Sequence, residues 1–381
     1  MALVLTQTCF GLSFSCFFLL PTYLKLVLHA SDVQIGAVAS LGSLAGVFAF
    51  PLVGTLNDRF GCKPFLLIGN VVMACAAAAM LRVTEVGAAL YVLRALHGLC
   101  LALVLNSATT LVSAEVPFER LGHALAVFGS SLLATHAVAP ALSELLASQH
   151  GWPTVFWFAT VLAVLGVLAS LRVQEAPRSR DEGASALGFV PLLRRPRTQR
   201  VVLTIAAAGA SFGTVFTFHQ PYALSLGMQH VSGFFLAYAA CALLSRLWLT
   251  TRLQGVDRKQ LSAWFMLLYA AAVVCAVWLR PLVLEGVGAV MGVAQGVFYP
   301  VFNALAVEGV EPRQRGSMMA LYHGGFNGGI AGALLLGGNV AERFGYPTLF
   351  VGSALITAAA ALSLRQSTLA HESDARDAAG R

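Results

Sequence analysis

The feature that most limits what this chain can become is the length of its apolar stretches. Polar breaks divide the sequence into twelve runs, at approximately 3–27, 34–56, 65–82, 86–113, 122–147, 153–173, 200–225, 231–251, 260–279, 283–308, 316–339 and 346–365. A helix needs about 20 apolar residues to cross roughly 30 Å of hydrocarbon, so each run is long enough to span a bilayer. Hydrocarbon offers no partner to an unpaired backbone amide, and the runs lack the period-two alternation of a membrane barrel. The expected fold is therefore all-α and integral to the membrane. With 58% apolar and 11% charged residues, the chain could not be wrapped around one soluble core without leaving apolar surface in water.

The first run could be taken for a cleaved signal peptide, but it lacks a basic start, runs too long and offers no convincing small-residue cleavage site. It reads as helix 1. With the amino terminus inside, twelve spans place both termini in the cytoplasm. Of the 24 Lys and Arg residues, Lys25, Arg82, Arg280 and Arg343 alone fall in the outer loops, and only Arg94 and Arg246 fall within spans. The rest collect on the cytoplasmic side, as the positive-inside rule requires. The net charge of +7 thus reflects topology and not a nucleic-acid partner. None of the seven Cys lies in an expected outer loop, and no Asn-x-Ser/Thr acceptor occurs, so no disulfide framework is expected.

Internal similarity divides the chain. Pro117-Phe118-Glu119-Arg120 returns as Pro312-Arg313-Gln314-Arg315, and Gly151-Trp152-Pro153-Thr154-Val155-Phe156 as Gly345-Tyr346-Pro347-Thr348-Leu349-Phe350. Phe18-Leu19-Leu20-Pro21 matches Phe218-His219-Gln220-Pro221. The displacement is six helices each time, so two parallel six-helix repeats related by an axis along the membrane normal are expected. They comprise residues 1–173 and 200–365. Residues 174–199, charged and carrying Pro177, Pro191 and Pro196, read as a cytoplasmic linker, and 366–381 as a disordered tail.

The turn after the second run, Gly54-Thr55-Leu56-Asn57-Asp58-Arg59-Phe60-Gly61-Cys62-Lys63, resembles the loop between helices 2 and 3 of the major facilitator superfamily of secondary transporters. The family pattern is Gly-x-Leu-x-Asp-Arg-x-Gly-(basic)-(basic), and Cys62 alone departs from it. The resemblance covers essentially the whole chain, and it implies two pseudo-symmetric halves that rock about a central site. It also implies that Asp58, amid Arg59 and Lys63, holds the halves together on the cytoplasmic side. An ordinary solvated helix end is the other reading of these charges. The second half carries a decayed copy, Thr251 to Lys259, with Gly255 where Asp58 would stand.

Arg94-Ala95-Leu96-His97-Gly98 matches the family's Arg-x-x-Gln-Gly, with His97 in place of Gln. A cation within hydrocarbon is costly, so Arg94 is expected to face the bundle interior or water. The resemblance associates it with proton coupling, and helix packing is the competing role. Arg246 has no motif behind it and reads as snorkelling or structurally paired. Thr135 to Ser143 is a weaker match to the antiporter pattern Gly-x-x-x-Gly-Pro-x-x-Gly, in which Ala139 and Pro140 would permit a bend in helix 5.

The family arrangement puts helices 1, 4, 7 and 10 around a central cavity, which makes their polar residues the substrate-site candidates. They are His219, Gln220 and Tyr222 in helix 7, and Gln295, Tyr299 and Asn303 at four-residue spacing in helix 10. His323 and Asn327 in helix 11 share that spacing. Each could equally be interhelical glue. Intramembrane carboxylates are scarce, so His97, His136, His219 and His323 are the candidate proton carriers. Asp32, after Ser31 and before Gln34, reads as part of a helix cap, while Glu144 stays open as a coupling residue.

There is no Walker loop, zincin motif or nucleophile elbow, so ATP-driven transport and an enzyme are not expected. No cofactor is expected, and no cluster has convincing metal-ligand spacing. The expectation is a monomeric, multi-pass carrier in a bacterial inner membrane, moving a small organic solute by proton-coupled efflux. Proton-coupled uptake, facilitated uniport and a transport-dead sensor are the alternatives.

Overall fold

The computed structural model describes the backbone of residues 2–116, 118–175, 189–250, 257–311 and 314–379; within these, the side chains of residues 58, 115, 118–127, 189–190, 249–250 and 367–379 fall outside the description. Twelve long helices run through it: α1 (Ala2–Leu26), α2 (Asp32–Phe60), α3 (Lys63–Arg82), α4 (Ala88–Glu115), α5 (Phe118–His150), α6 (Trp152–Leu171), α7 (Pro196–Ser225), α8 (Gly233–Thr250), α9 (Arg258–Trp278), α10 (Pro281–Val307), α11 (Arg315–Phe344) and α12 (Tyr346–Ala379). Among the described residues there is no strand.

The twelve expected spans are therefore all present as helices. Nine are individually long and apolar enough to cross a bilayer, and α8 contributes the shorter apolar stretch Gly233–Trp248. In α11, His323, Asn327, Asn339 and a run of glycines dilute the hydropathy. The helices turn Leu203, Leu244, Leu336, Phe48, Trp157 and Leu355 outward, each more than half exposed. A belt of this kind needs lipid as its solvent.

Helix ends follow local chemistry. Ser31 and Gln34 close a reciprocal capping box on α2, as the Ser-x-x-Gln spacing predicts. Gly151 and Gly345, at φ +82 and +83, precede α6 and α12, which carry Pro153 and Pro347 in their first turn. The repeated sequence thus makes the same turn twice. α7 begins at Pro196, inside the expected linker, because proline is well tolerated in a helix's first turn. A short helix, Phe189–Leu193, precedes it. The backbone of α12 runs on to Ala379, where the sequence reads as a disordered tail. Residues 117, 176–188, 251–256 and 312–313, with part of the first repeat pair and the decayed motif copy, lie outside the described residues.

Packing forms two large cores. One is built by α1 to α6, from Leu3 through Phe10, Met73 and Ala159 to Val173. The other is built by α7 to α12 around Phe218, Tyr269, Phe298 and Phe350, and takes in Leu19, Leu133 and Ala137 from the first set. The two sets meet along α2 and α11, α5 and α8, and α1 and α7. One end of the bundle carries Arg59, Lys63, Arg172, Arg194 and Arg195 and is the basic end; the other is the far end.

Candidate functional site

The turn between α2 and α3 shows how the motif residues are used. Gly61 ends α2 at φ +89, a conformation costly for any side chain, and reverses the chain at the basic end. The reversal presents the N–H groups of Cys62 and Lys63 at the head of α3, where the Glu175 carboxylate accepts from Cys62 at 2.8 and 3.1 Å and from Lys63 at 2.9 Å. An anion there satisfies orphan amides and complements the helix dipole. Cys62 is fully buried and used here through its backbone, which accounts for the missing basic side chain. Arg59 lies over the Phe60 ring at 5.1 Å. Gly54 faces Asn106, which donates to the Phe50 carbonyl, and Ser107 donates to Asn57. The side chain of Asp58 lies outside the described residues. Glu175 was not singled out from sequence; an acidic residue just beyond helix 6 carries no distinctive pattern.

At the far end the two sets of helices are bonded to each other. Phe17–Leu19 of α1 form a 3-10 turn before Pro21. The Phe18 carbonyl and the Thr22 N–H, which an unbroken helix would close on each other, both bond the Gln220 amide of α7, at 2.8 and 3.3 Å. The Thr22 hydroxyl adds a third bond to Gln220 at 2.9 Å. Asp32 joins Lys25 at 2.9 Å and accepts from Tyr346 of α12 at 2.7 Å, while Val33 N–H donates to Glu342 of α11. Glu144 of α5 accepts from the Val231 and Ser232 amides and the Ser232 hydroxyl at the start of α8. These hydrogen bonds and the ion-paired Asp32 join the two sets at this end. Asp32 and Glu144 were read from sequence as a cap residue and a coupling candidate; the structure places both in this closure.

Between the sets, toward the basic end, lies a cavity of about 450 Å³ lined by Leu105, Thr109, Thr110, Ser113, Phe128, Gly129, Met319 and His323. His323 bonds the Tyr299 hydroxyl at 3.0 Å, Tyr322 donates to the Tyr299 carbonyl, and Asn327 donates to the His323 carbonyl. Gln295 lies one turn from Tyr299, its Oε1 buried without a donor, and Asn303 lies one turn the other way, half-buried. From α5, His136 bonds Ser15 at 2.8 Å against the Phe18 ring.

The remaining candidates sit in the walls. His97 bonds the Leu93 carbonyl of its own helix and packs on Phe17. His219, fully buried, bonds the Val215 carbonyl and packs between Phe234 and Phe235. Tyr222 donates to the Val277 carbonyl beside Tyr346. Ala139 is buried against the first core, and Pro140 lies inside continuous helix. Among the described residues no three His, Cys, Asp or Glu side chains are placed to share a metal.

Two cations complete the interior. Arg94 packs against Gly42 of α2, and its charge acts on His97. Arg246 of α8 lies within electrostatic reach of His136, Tyr238 and Tyr299. The Nε of each is buried without an acceptor. The sequence reading gave Arg246 a snorkelling or paired role; no carboxylate among the described residues pairs with it. The signal that singles it out is its position, a charge thirteen residues into a helix that carries no acidic residue.

A family model described as Major Facilitator Superfamily matches residues 3–284 and 230–378. A tetracenomycin C resistance and export protein of Streptomyces glaucescens is 32% identical over 160 residues, covering 40% of this chain and 30% of that protein. A glycine betaine/proline/ectoine/pipecolic acid transporter, OusA of Dickeya dadantii, is 28% identical over 174 residues, covering 44% and 34%. The match thus spans about a third of each relative's length. The crystal structure of a nucleoside transporter NupG variant superposes at a TM-score of 0.79 with 17% identity, over 96% of this chain and 98% of that one.

Proposed function

The chain belongs to the major facilitator superfamily, and on that premise we propose that it is a secondary transporter moving a small organic solute by alternating access. The observation that carries this reading is the one-sided closure: bonds between the two helix sets gather at the far end, while a cavity lined by α4, α5 and α11 lies toward the basic end. A rocking carrier closed to one compartment has this arrangement. The basic end is assigned to the cytoplasm by the positive-inside rule, which places both termini there and makes the described conformation inward-facing. Residues 1–173 and 200–365 are the rocking halves, joined by residues 174–199, in a bacterial inner membrane and functional as a monomer.

Efflux by proton antiport is the preferred direction, in keeping with the export relative. Asp58, with Arg59 and Lys63 beside it, is the proposed latch of the cytoplasmic gate once the far end opens. His323, which lines the cavity, and His136, bonded to Ser15 in the interior, are the proposed proton-handling groups, with Arg94 setting the local field. Tyr299, Gln295, Asn303 and Asn327 line the proposed solute path. Facilitated transport is a second reading favoured by a specific observation: among the described residues every Asp and Glu lies in a loop or within about two turns of a helix end, so none of these carboxylates occupies the middle of a span. The deciding experiment is counterflow of candidate solutes in proteoliposomes, with and without an imposed pH gradient. Solute exchange that a gradient accelerates supports antiport; exchange indifferent to the gradient supports facilitated transport. A purified, folded protein that exchanges no solute counts against a carrier.

A further inference from the structure

We propose that the central cavity takes hold of an anionic group, a carboxylate, phosphate or sulfonate, through Arg246, so that the transported solutes are organic acids; this rests on the carrier reading above. Arg246 lies thirteen residues into α8, about 20 Å below the far end and four residues before the helix ends at Thr250, and the residue is part-buried. Its Nε is buried and has no acceptor. Nearby stand His136 from α5, Tyr238 on its own helix and Tyr299 from α10, all uncharged or weakly basic. Tyr299 is in turn bonded to His323, which lines the cavity and links the guanidinium's surroundings to it.

A guanidinium nitrogen withdrawn from water is costly unless an acceptor answers it, and among the described residues no carboxylate reaches Arg246. Among the described residues the acidic side chains stand in loops or near helix ends: Glu175 and Asp257 cap helices, Asp32, Glu144 and Glu342 join the far-end closure, and Glu308 faces Arg258 at the basic end. Arg94 adds a second uncompensated cation to the interior. The cavity therefore repels cationic solutes and lacks only the negative charge that a substrate would bring. Arg suits that task, because its planar fork grips two oxygens of one carboxylate or phosphate at once. His136 and Arg246 come from opposite helix sets, so a solute held between them would draw on both and couple its binding to their rocking.

The experiment uses the full chain in nanodiscs of zwitterionic phosphatidylcholine and three probes of one ring system: 2-naphthoate, 2-naphthylmethanol and 2-naphthylmethylammonium. Each is titrated while the melting temperature is read. The naphthoate is expected to raise it and the other two to leave it unchanged. Arg246→Gln is expected to weaken naphthoate binding about tenfold or more. Arg246→Lys, which keeps the charge and loses the fork, should fall between. If Arg246→Gln does not fold, Arg246→Lys decides, with unchanged naphthoate affinity overturning the proposal. Equal binding of the alcohol or the ammonium, no binding by any probe, or an Arg246→Gln affinity within about twofold of the parent also overturns it. Naphthoate binding without counterflow would leave the anion site standing and remove the carrier reading, whereas counterflow of an uncharged solute without anion binding would do the reverse.

Discussion

Gln220 illustrates how one side chain can hold a large interface. Pro21 cannot donate into the α1 ladder, and the 3-10 turn before it loosens the helix where Phe18 and Thr22 would otherwise bond. The Gln220 amide fills that break from α7, donating to one group and accepting from the other. Replacement by Leu at similar volume leaves buried backbone groups without these bonds, which costs on the order of 1–3 kcal/mol. Because the cost falls only on the closed far end, Gln220→Leu is expected to shift the protein toward opening there. Spin labels at Val27 and Leu282, both exposed at that end, should show longer distances in the variant; an unchanged distribution would remove the clamp role. Glu175 works within one set, and its loss should act on stability instead. Glu175→Ala is expected to cost about 1 kcal/mol, read as a lowered melting temperature with the label distances unmoved.

At the scale of elements, α2 and α11 form a long seam between the sets, and small residues set its closeness. Gly338 of α11 lies under the backbone of Asp32 and Val33, and Gly36 of α2 lies under the Leu334 carbonyl, with no room for a Cβ at either. Farther along, Gly46 meets Asn327 and Phe50 stacks on His323 at 6.4 Å. Van der Waals contact, rather than hydrophobic burial, drives such packing in lipid. A bulky residue at Gly338 must therefore separate the helices at the far end and pull Asp32 from Tyr346. Gly338→Val is expected to reproduce the far-end opening of Gln220→Leu with a lower melting temperature, whereas Gly332→Val, where the space is open, should leave both unchanged. Matching effects from the two glycine variants would mean that the seam does not govern closure.

For the whole molecule, one-sided closure predicts one-sided access. In a cysteine-free background, Thr109→Cys on the cavity wall should react with a membrane-impermeant maleimide from the basic side and be protected from the other. Gln220→Cys would disrupt the clamp, so fully buried Ser15 is the better control, and Ser15→Cys should resist reagent from both sides. Labelling of Thr109→Cys from the far side alone would reverse the assigned orientation.

The sequence by itself determined the solvent, the number of spans and the two-fold repetition. Apolar length against bilayer thickness, the placement of Lys and Arg, and the recurrence of Gly151–Phe156 at Gly345–Phe350 are properties of the chain read in order. The Ser31–Gln34 cap was legible for the same reason, since both partners lie within one turn. The partners of Asp32, Glu144, Glu175 and Gln220 were decided only by tertiary structure. Each bonds a residue from a different helix, and helical periodicity fixes which face a residue occupies without fixing which helix that face meets. Polarity within a span likewise marked His219, Gln220 and Tyr299 alike, although the fold seals the first in a wall, uses the second as a clamp and sets the third beside the cavity. That Arg246 Nε meets no acceptor among the described residues also belongs to the tertiary structure, because partners across helices are fixed only by packing.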